Sequence, residues 1–309
     1  MRHRIELPAR LGPQFSVRQA ASLGVRRGRA DAADLARPFH GVRSVSAPDT
    51  FRAGVDCYLP RMRPGQRLVG RSAVRLWALP HPDAWHPREA LEIAAPQEQS
   101  PPRTKGVRGR RLRSTRAQTW RLRGIPVVDP VAAVFSCAHE LTVAQLVVML
   151  DALVTDRSNY PGMREVARPR CTLDDVAEHL VDWGRFRGSA TVRRALRSAR
   201  EGVESPKETQ TRLAIVEAGL PEPVVQFEVR AGSRLIARVD LAYPEWRIAI
   251  EYEGDGHRTD KMQWRRDIAR QRELEEQGWI VIRLTQHDLA EPAPFLTRIR
   301  SAIAGRSAA

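Results

Sequence analysis

Between Arg238 and Asp260 the chain reads RVDLAYPEWRIAIEYEGDGHRTD, two short strands joined by a turn at Pro244 and Glu245. Few stretches constrain a fold more, because Asp240, Glu251 and Glu253 fall inside or at the end of strands that should be apolar. Side chains alternate along a strand. In IAIEYE, Ile248, Ile250 and Tyr252 therefore share one face, while Glu251 and Glu253 share the other with Ala249. On the preceding strand, Asp240 is expected on the face opposite Val239 and Leu241. Hairpin pairing then brings Asp240 and Glu251 onto one face. Carboxylates so placed repel one another and retain protons unless a cation lies among them. A hard cation such as Mg²⁺ (or Mn²⁺) removes the conflict, since two or three carboxylates plus waters are its usual ligands. Such an ion activates water and shields a phosphate during hydrolysis.

The surrounding pattern is regular. SPKETQTRLAIVEAGL has Ser205 as N-cap, Pro206 in the first turn, Glu208 three residues after the cap and Gly219 as the stop. Glu208 therefore completes a capping box with Ser205. VVQFEVR and RLIARVDLAY are strands joined by an AGS turn, and WRIAIEYE is a third strand. TDKMQWRRDIARQRELEEQG predicts a long helix from a Thr259–Asp260 cap to Gly278. WIVIRLT is a strand apolar enough for burial on both faces, and EPAPFLTRIRSAIAG is a closing helix. The order is α-β-β-β-α-β-α.

Asp240, ten intervening residues and then Glu251-Tyr252-Glu253, set in that order of elements, resembles the PD-(D/E)xK nuclease core. Residues 205–290 are more closely similar to the very-short-patch-repair (Vsr-like) endonuclease superfamily and its domain-of-unknown-function branch. The matching positions are Glu251, Glu253, Gly254, His257, Asp260, Arg265-Arg266-Asp267 and Gly278-Trp279. The resemblance implies a restriction-endonuclease-like α/β domain with a mixed sheet. It implies Asp240 and Glu251 as metal ligands, Glu208 as a third acid nearby, and His257 as a proton-transfer or phosphate-contact residue. Glu253 stands where the nuclease pattern has lysine, a departure that bears on catalysis more than on fold. Arg258, Lys261 and His257 are the cations near enough in sequence to substitute.

The charge of the chain points the same way. The net charge is +15, yet residues 204–309 hold 16 Lys+Arg against 17 Asp+Glu, so the first 203 residues carry 35 of the 51 basic groups and 19 of the 36 acidic ones. A polyanion, most simply double-stranded DNA, is the partner such asymmetry predicts, although charge does not separate DNA from RNA. Residues 16–43 read as helix, short turn, helix with Arg18, Arg26, Arg27 and Arg29 upon them, the second helix running through Ala32 and Leu35 before Pro38. Residues 103–124 carry nine basic residues and no acid, and predict a basic ribbon on which Arg108, Arg110, Arg111 and Arg113 contact phosphate. The segments SVRQAASLGVRRGR…DLARPFHGVR, GRSAVRLWALP and GIPVVDPVAAVFSCA resemble AbiEi-type antitoxin and regulator proteins of actinobacteria. That resemblance implies an N-terminal winged-helix unit within an α+β region, with a toxin or a second copy as further partners.

Hydrophobic content of 42% predicts folded domains. Cys57, Cys137 and Cys171 are few, odd in number and far apart, which excludes a disulfide framework and a CxxC zinc site and predicts a reducing cytoplasm. No apolar h-region marks the start of the chain, and LTVAQLVVMLDALV is too short to span a bilayer and reads as a core helix. The expected organisation is a DNA-binding unit over 1–60, a basic α+β region over 61–203 and a Vsr-like domain over 204–309.

Overall fold

A computed structural model describes residues 6–156, 159–253 and 261–308, with only the backbone over 261–266. The chain divides into two compact units, one of residues 1–141 with 178–192 and one of residues 142–177 with 193–309. No described helix is long and apolar enough to cross a membrane.

The first unit begins with β1 (Gln14–Ser16), α1 (Val17–Ser22), α2 (Arg27–Ala30) and β2 (Val42–Ser44). Ser16 and Gln19 form a reciprocal capping box that starts α1. The second helix is a single turn and does not reach Ala32 or Leu35. Its Ala30 carbonyl, which a further turn would use, accepts from Nε of buried Arg43 at 2.8 Å. β1 and β2 pair antiparallel, and Phe15, Ala20, Ala30 and Leu35 form a small core beneath them. These are two short helices and a two-stranded ribbon, without a long recognition helix.

After α3 (Phe51–Tyr58) come β3 (Arg67–Leu68), α4 (Gly70–Leu76), β4 (Leu91–Ala95), β5 (Arg103–Thr104), β6 (Val107–Arg111), β7 (Thr119–Leu122), β8 (Ile125–Val128) and α5 (Pro130–Cys137). The strands form a mixed six-stranded sheet in the order β5-β6-β4-β3-β8-β7. Buried Trp77 ties α4 to the sheet, donating Nε1–H to the Val128 carbonyl at 2.8 Å. Gly70 opens α4 at φ +57°, where an added Cβ would stand 1.9 Å from the carboxylate of buried Glu92. That close approach requires glycine.

Next follow α6 (Val143–Val154), α7 (Leu173–Trp183), α8 (Ser189–Ser198), α9 (Pro206–Glu217), β9 (Val224–Ala231), β10 (Arg234–Tyr243), β11 (Ile248–Tyr252), α10 (Lys261–Glu276), β12 (Ile280–Leu284), α11 (Gln286–Ala290) and α12 (Ala293–Ser307). From α9 to β12 this is the predicted α-β-β-β-α-β order. The sheet runs β12-β11-β10-β9, antiparallel except for the parallel β11–β12 pair, and is therefore mixed. Leu241, Ile248, Ile250 and Leu284 pack on Ile215 of α9 and on Phe295 and Ile299 of α12. Ala242 and Ala249 pack with Leu274 of α10 and Trp279 on the other face. The sheet thus lies between two helical layers.

The second unit extends beyond the predicted boundary near residue 204, because α6 belongs to it. Asp151 of α6 and Arg212 of α9 are almost wholly inaccessible (0% and 1% exposed) and pair at 3.0 Å. Asp151 also accepts from the Arg200 amide at 2.7 Å and the Thr209 hydroxyl at 2.9 Å. The residues just before the expected boundary, through Arg200, are therefore held inside this unit. A buried carboxylate left without its cation is costly. Arg212→Met is expected to lower the free energy of unfolding by about 3–5 kcal/mol, read from urea denaturation as a reduced midpoint at unchanged slope.

Candidate functional site

Two largely buried carboxylates, Asp240 and Glu251, lie close together where β10 and β11 part, and Glu208 of α9 interacts with Asp240. The antiparallel pairing of the two strands runs from Tyr243–Ile248 to Leu241–Ile250 and stops there. Asp240 and Glu251 are the next residues beyond that last pair, outside the ladder, and their charges interact. β10 continues in register with β9, while β11 stays paired with β12. The amide of Glu253 donates to the Leu284 carbonyl on the β12 side at 2.7 Å. One residue back, alternation turns the Tyr252 amide toward β10, where the Asp240 carboxylate accepts it at 3.0 Å. A side chain thus replaces the missing rung of the ladder.

The simple alternation expected for β10 breaks at this point. Val239 packs with the Ala242–Leu274 group and Leu241 with the Ile215–Phe295 group, so the two do not share a face. Asp240 lies at the seam, where it interacts with Glu208 from α9 as well as with the groups around Glu251. Opposite Asp240 in the register of β9 and β10 stands Gln226, in the left-handed region at φ +51°. Its amide donates to Glu208 Oε2 at 2.9 Å. Such a conformation costs about 1–3 kcal/mol in a non-glycine residue.

Glu208 is buried, and its role differs from the predicted box. Ser205 Oγ accepts the Glu208 amide at 3.2 Å, but the Glu208 carboxylate reaches past the cap to the Glu204 amide at 2.9 Å. Buried Glu251 accepts from Arg270 of α10 at 3.3 Å. Glu253 lies just past the strand and pairs with Arg283 instead of joining the other acids. His257 lies outside the described residues, as do Gly254, Arg258 and Asp260, and the Lys261 side chain is likewise not described. Gln226, Arg270 and Glu204 were not singled out from sequence. Gln226 alone left a signal there, as a polar residue inside the apolar run VVQFEV.

Burial raises all three acids above the ordinary carboxylate range. For Asp240, burial and then the Glu208 charge push the pKa from 3.8 to about 7, against the opposing Tyr252 amide and Arg270. For Glu251, burial outweighs Arg270, and the Asp240 charge adds to the rise. Carboxylate oxygens are the donors a hard divalent cation prefers, so Asp240 and Glu251 fit such an ion in chemistry and in closeness. Among the described residues, no three His, Cys, Asp or Glu meet as a ready-made metal-binding group. The fit is therefore that of a two-carboxylate site with Glu208 behind it.

The basic residues of the first unit divide into two sets. Arg18, Arg26, Arg111 and Arg113 are exposed, and Arg27 is 91% exposed beside Asp31. Arg29 is largely buried and pairs with Asp34 at 3.0 Å. Arg110 is held by buried Glu92 and donates to the Ser136 carbonyl at 2.9 Å. Arg108 is exposed but lies within 3.3 Å of Glu140. Arg29 and Arg110 thus serve internal ion pairs, and the outward basic surface is smaller than the sequence count suggests.

Two uncharacterized proteins of Mycobacterium tuberculosis, MT2308 of strain CDC 1551 / Oshkosh and Rv2248 of strain ATCC 25618 / H37Rv, are similar to this chain. Each is 30% identical over 131 residues, 42% of this chain and 48% of the relative. The chain spans about half the length of the curated relatives it matches. No family model matches the chain, and no solved structure matches it.

Because the Asp240 pKa is higher in the folded chain than unfolded, the native state binds the extra proton. Its contribution to stability is present below pH 3.8 and is lost as pH rises to about 7. In chelator, the unfolding midpoint of wild type is expected to fall across that window. Asp240→Asn should flatten the decline and be the more stable protein at pH 8. An identical pH profile in the variant would refute the assignment.

Proposed function

We propose that this protein is a nucleic-acid-binding phosphodiesterase of the Vsr-like endonuclease kind, acting on double-stranded DNA through the carboxylates of its second unit. The observation that carries the reading is the closeness of two largely buried acids, Asp240 and Glu251, just beyond the last paired residues of β10 and β11. Two acids so close disfavour the fold unless they serve a ligand. In this reading they hold a divalent cation, Mg²⁺ or Mn²⁺. When bound, such an ion supplies an activated water and neutralises phosphate charge.

The chain's own groups orient the site. The Tyr252 amide fixes one Asp240 oxygen and leaves the other for a ligand. Arg270 holds Glu251 from α10. Glu208, held by Gln226 and the Glu204 amide, adds negative charge behind Asp240 and keeps its proton affinity high. No lysine occupies position 253, and Glu253 engages Arg283. Lys207, one residue before Glu208, stands 5.9 Å over the Tyr252 ring, and its pKa is lowered by burial. It is an ammonium near the end of β11 that the sequence motif did not foretell.

The absent motif lysine favours a second reading, a non-catalytic transcriptional regulator or AbiEi-like antitoxin whose endonuclease fold is inert. Plasmid nicking by the full chain separates the two. Magnesium-dependent nicking is expected for wild type, and Asp240→Ala and Glu251→Gln should each reduce it by about a hundredfold or more. Salt-sensitive duplex binding with no metal-dependent cleavage would leave the regulator. Preferential cleavage of an RNA duplex would move the substrate class without moving the site.

A further inference from the structure

A cavity of about 490 Å³ opens beside the carboxylate cluster within the second unit. Its lining includes Arg164, Arg168, Arg170 and Arg238, against the two carboxylates Asp156 and Glu204. That volume lies in the range of small-ligand sites. The excess of guanidinium over carboxylate selects an anion.

The cavity meets the cluster through one residue. Glu204 forms a bidentate pair with Arg238, at 2.6 and 3.0 Å, while its amide donates to Glu208 at 2.9 Å. Arg238 and Asp240 are two residues apart on β10, about 7 Å along the strand. Neighbouring phosphates of a nucleic-acid chain are separated by a comparable distance. Arg238 already binds an anion in the fork geometry that also suits phosphate.

The wall is held in place by ordinary capping. Arg168 donates to the carbonyls of Ala152, Leu153 and Thr155 at 3.1, 3.3 and 3.4 Å, closing the C-terminal end of α6. This anchors the segment that carries Arg164 and Arg170, both exposed at the rim. Arg170 reaches Asp156 at 2.6 Å, with side-chain exposures of 86% and 60%, so that pair is open to solvent and readily exchanged for a phosphate.

We infer that this cavity is the subsite for a phosphodiester group next to the scissile one, with Arg238 on its floor and Arg164 and Arg170 at its rim. The inference rests on the reading of the second unit as a phosphodiesterase. It adds the place where the strand is gripped, which lies on a segment outside the nuclease-like core.

Duplex binding by the full chain in chelator tests it, read by fluorescence anisotropy over a series of salt concentrations. Arg164→Gln with Arg170→Gln should reduce the slope of log K against log salt by about one, since the single phosphate held in the subsite then keeps its counterion. Arg170→Lys keeps its charge and should retain the wild-type slope. Both positions are exposed, and circular dichroism melting checks that the variants fold. An unchanged slope in the double variant overturns the proposal. So does a stabilisation by inorganic phosphate that needs both arginines while the duplex slope is unchanged, since the ligand is then free phosphate. A reduced slope in a protein that never cleaves supports the subsite and removes only the hydrolase reading.

Discussion

The Tyr252 amide is given to a side chain, and the candidate site follows from that exchange. Had β10 and β11 continued their ladder, Asp240 and Glu251 would have been a directly opposed carboxylate pair on a closed sheet, an unfavourable arrangement. Instead pairing ends at Leu241–Ile250, and Asp240 supplies the acceptor that the Tyr252 amide requires. The opening leaves both acids in a gap lined from one side by Glu208 and from the other by Arg270. One hydrogen bond thus reconciles the backbone's need for a partner with two charges in a sheet.

That gap keeps its shape because the elements around it are tied by polar contacts as well as apolar packing. Gln226, in a strained backbone conformation, holds Glu208. The buried Asp151–Arg212 pair locks α9 to α6, and Thr209 and the Arg200 amide complete the coordination of Asp151. α9 therefore presents Glu208 from a helix whose position is set at its far side.

Charge behaves differently in sequence and in space. The surplus of arginine in the first 203 residues reads as a field for a polyanion. Arg29 and Arg43 nevertheless lie largely inside, and half-buried Arg110 is tied to Glu92, all bound to carboxylates or carbonyls. Conversely, residues 204–309 are nearly neutral by count, yet their unit includes the arginine-lined cavity, because Arg164, Arg168 and Arg170 come from the preceding segment. A net charge taken along the chain averages over what folding separates.

Element order from Ser205 onward was legible because local signals agreed: Ser205 and Pro206 at a helix start, alternating strands around Pro244, and Gly278 at a helix end. The pairing of the two strands around Pro244 was legible too, since a short turn fixes their register, whereas the alternation expected at Asp240 breaks. The extent of α2, the partner of the Glu208 carboxylate and the membership of α6 were not, since each depends on a group distant in sequence: Arg43, Gln226 and Arg212. By itself the sequence determined the order of elements from Ser205 onward, because periodicity and capping act over a few residues. Only the tertiary structure decided that β10 and β11 part at Asp240, which charges are buried in pairs, and where a basic cavity opens, because burial and long-range ion pairing depend on which surfaces the folded chain brings together.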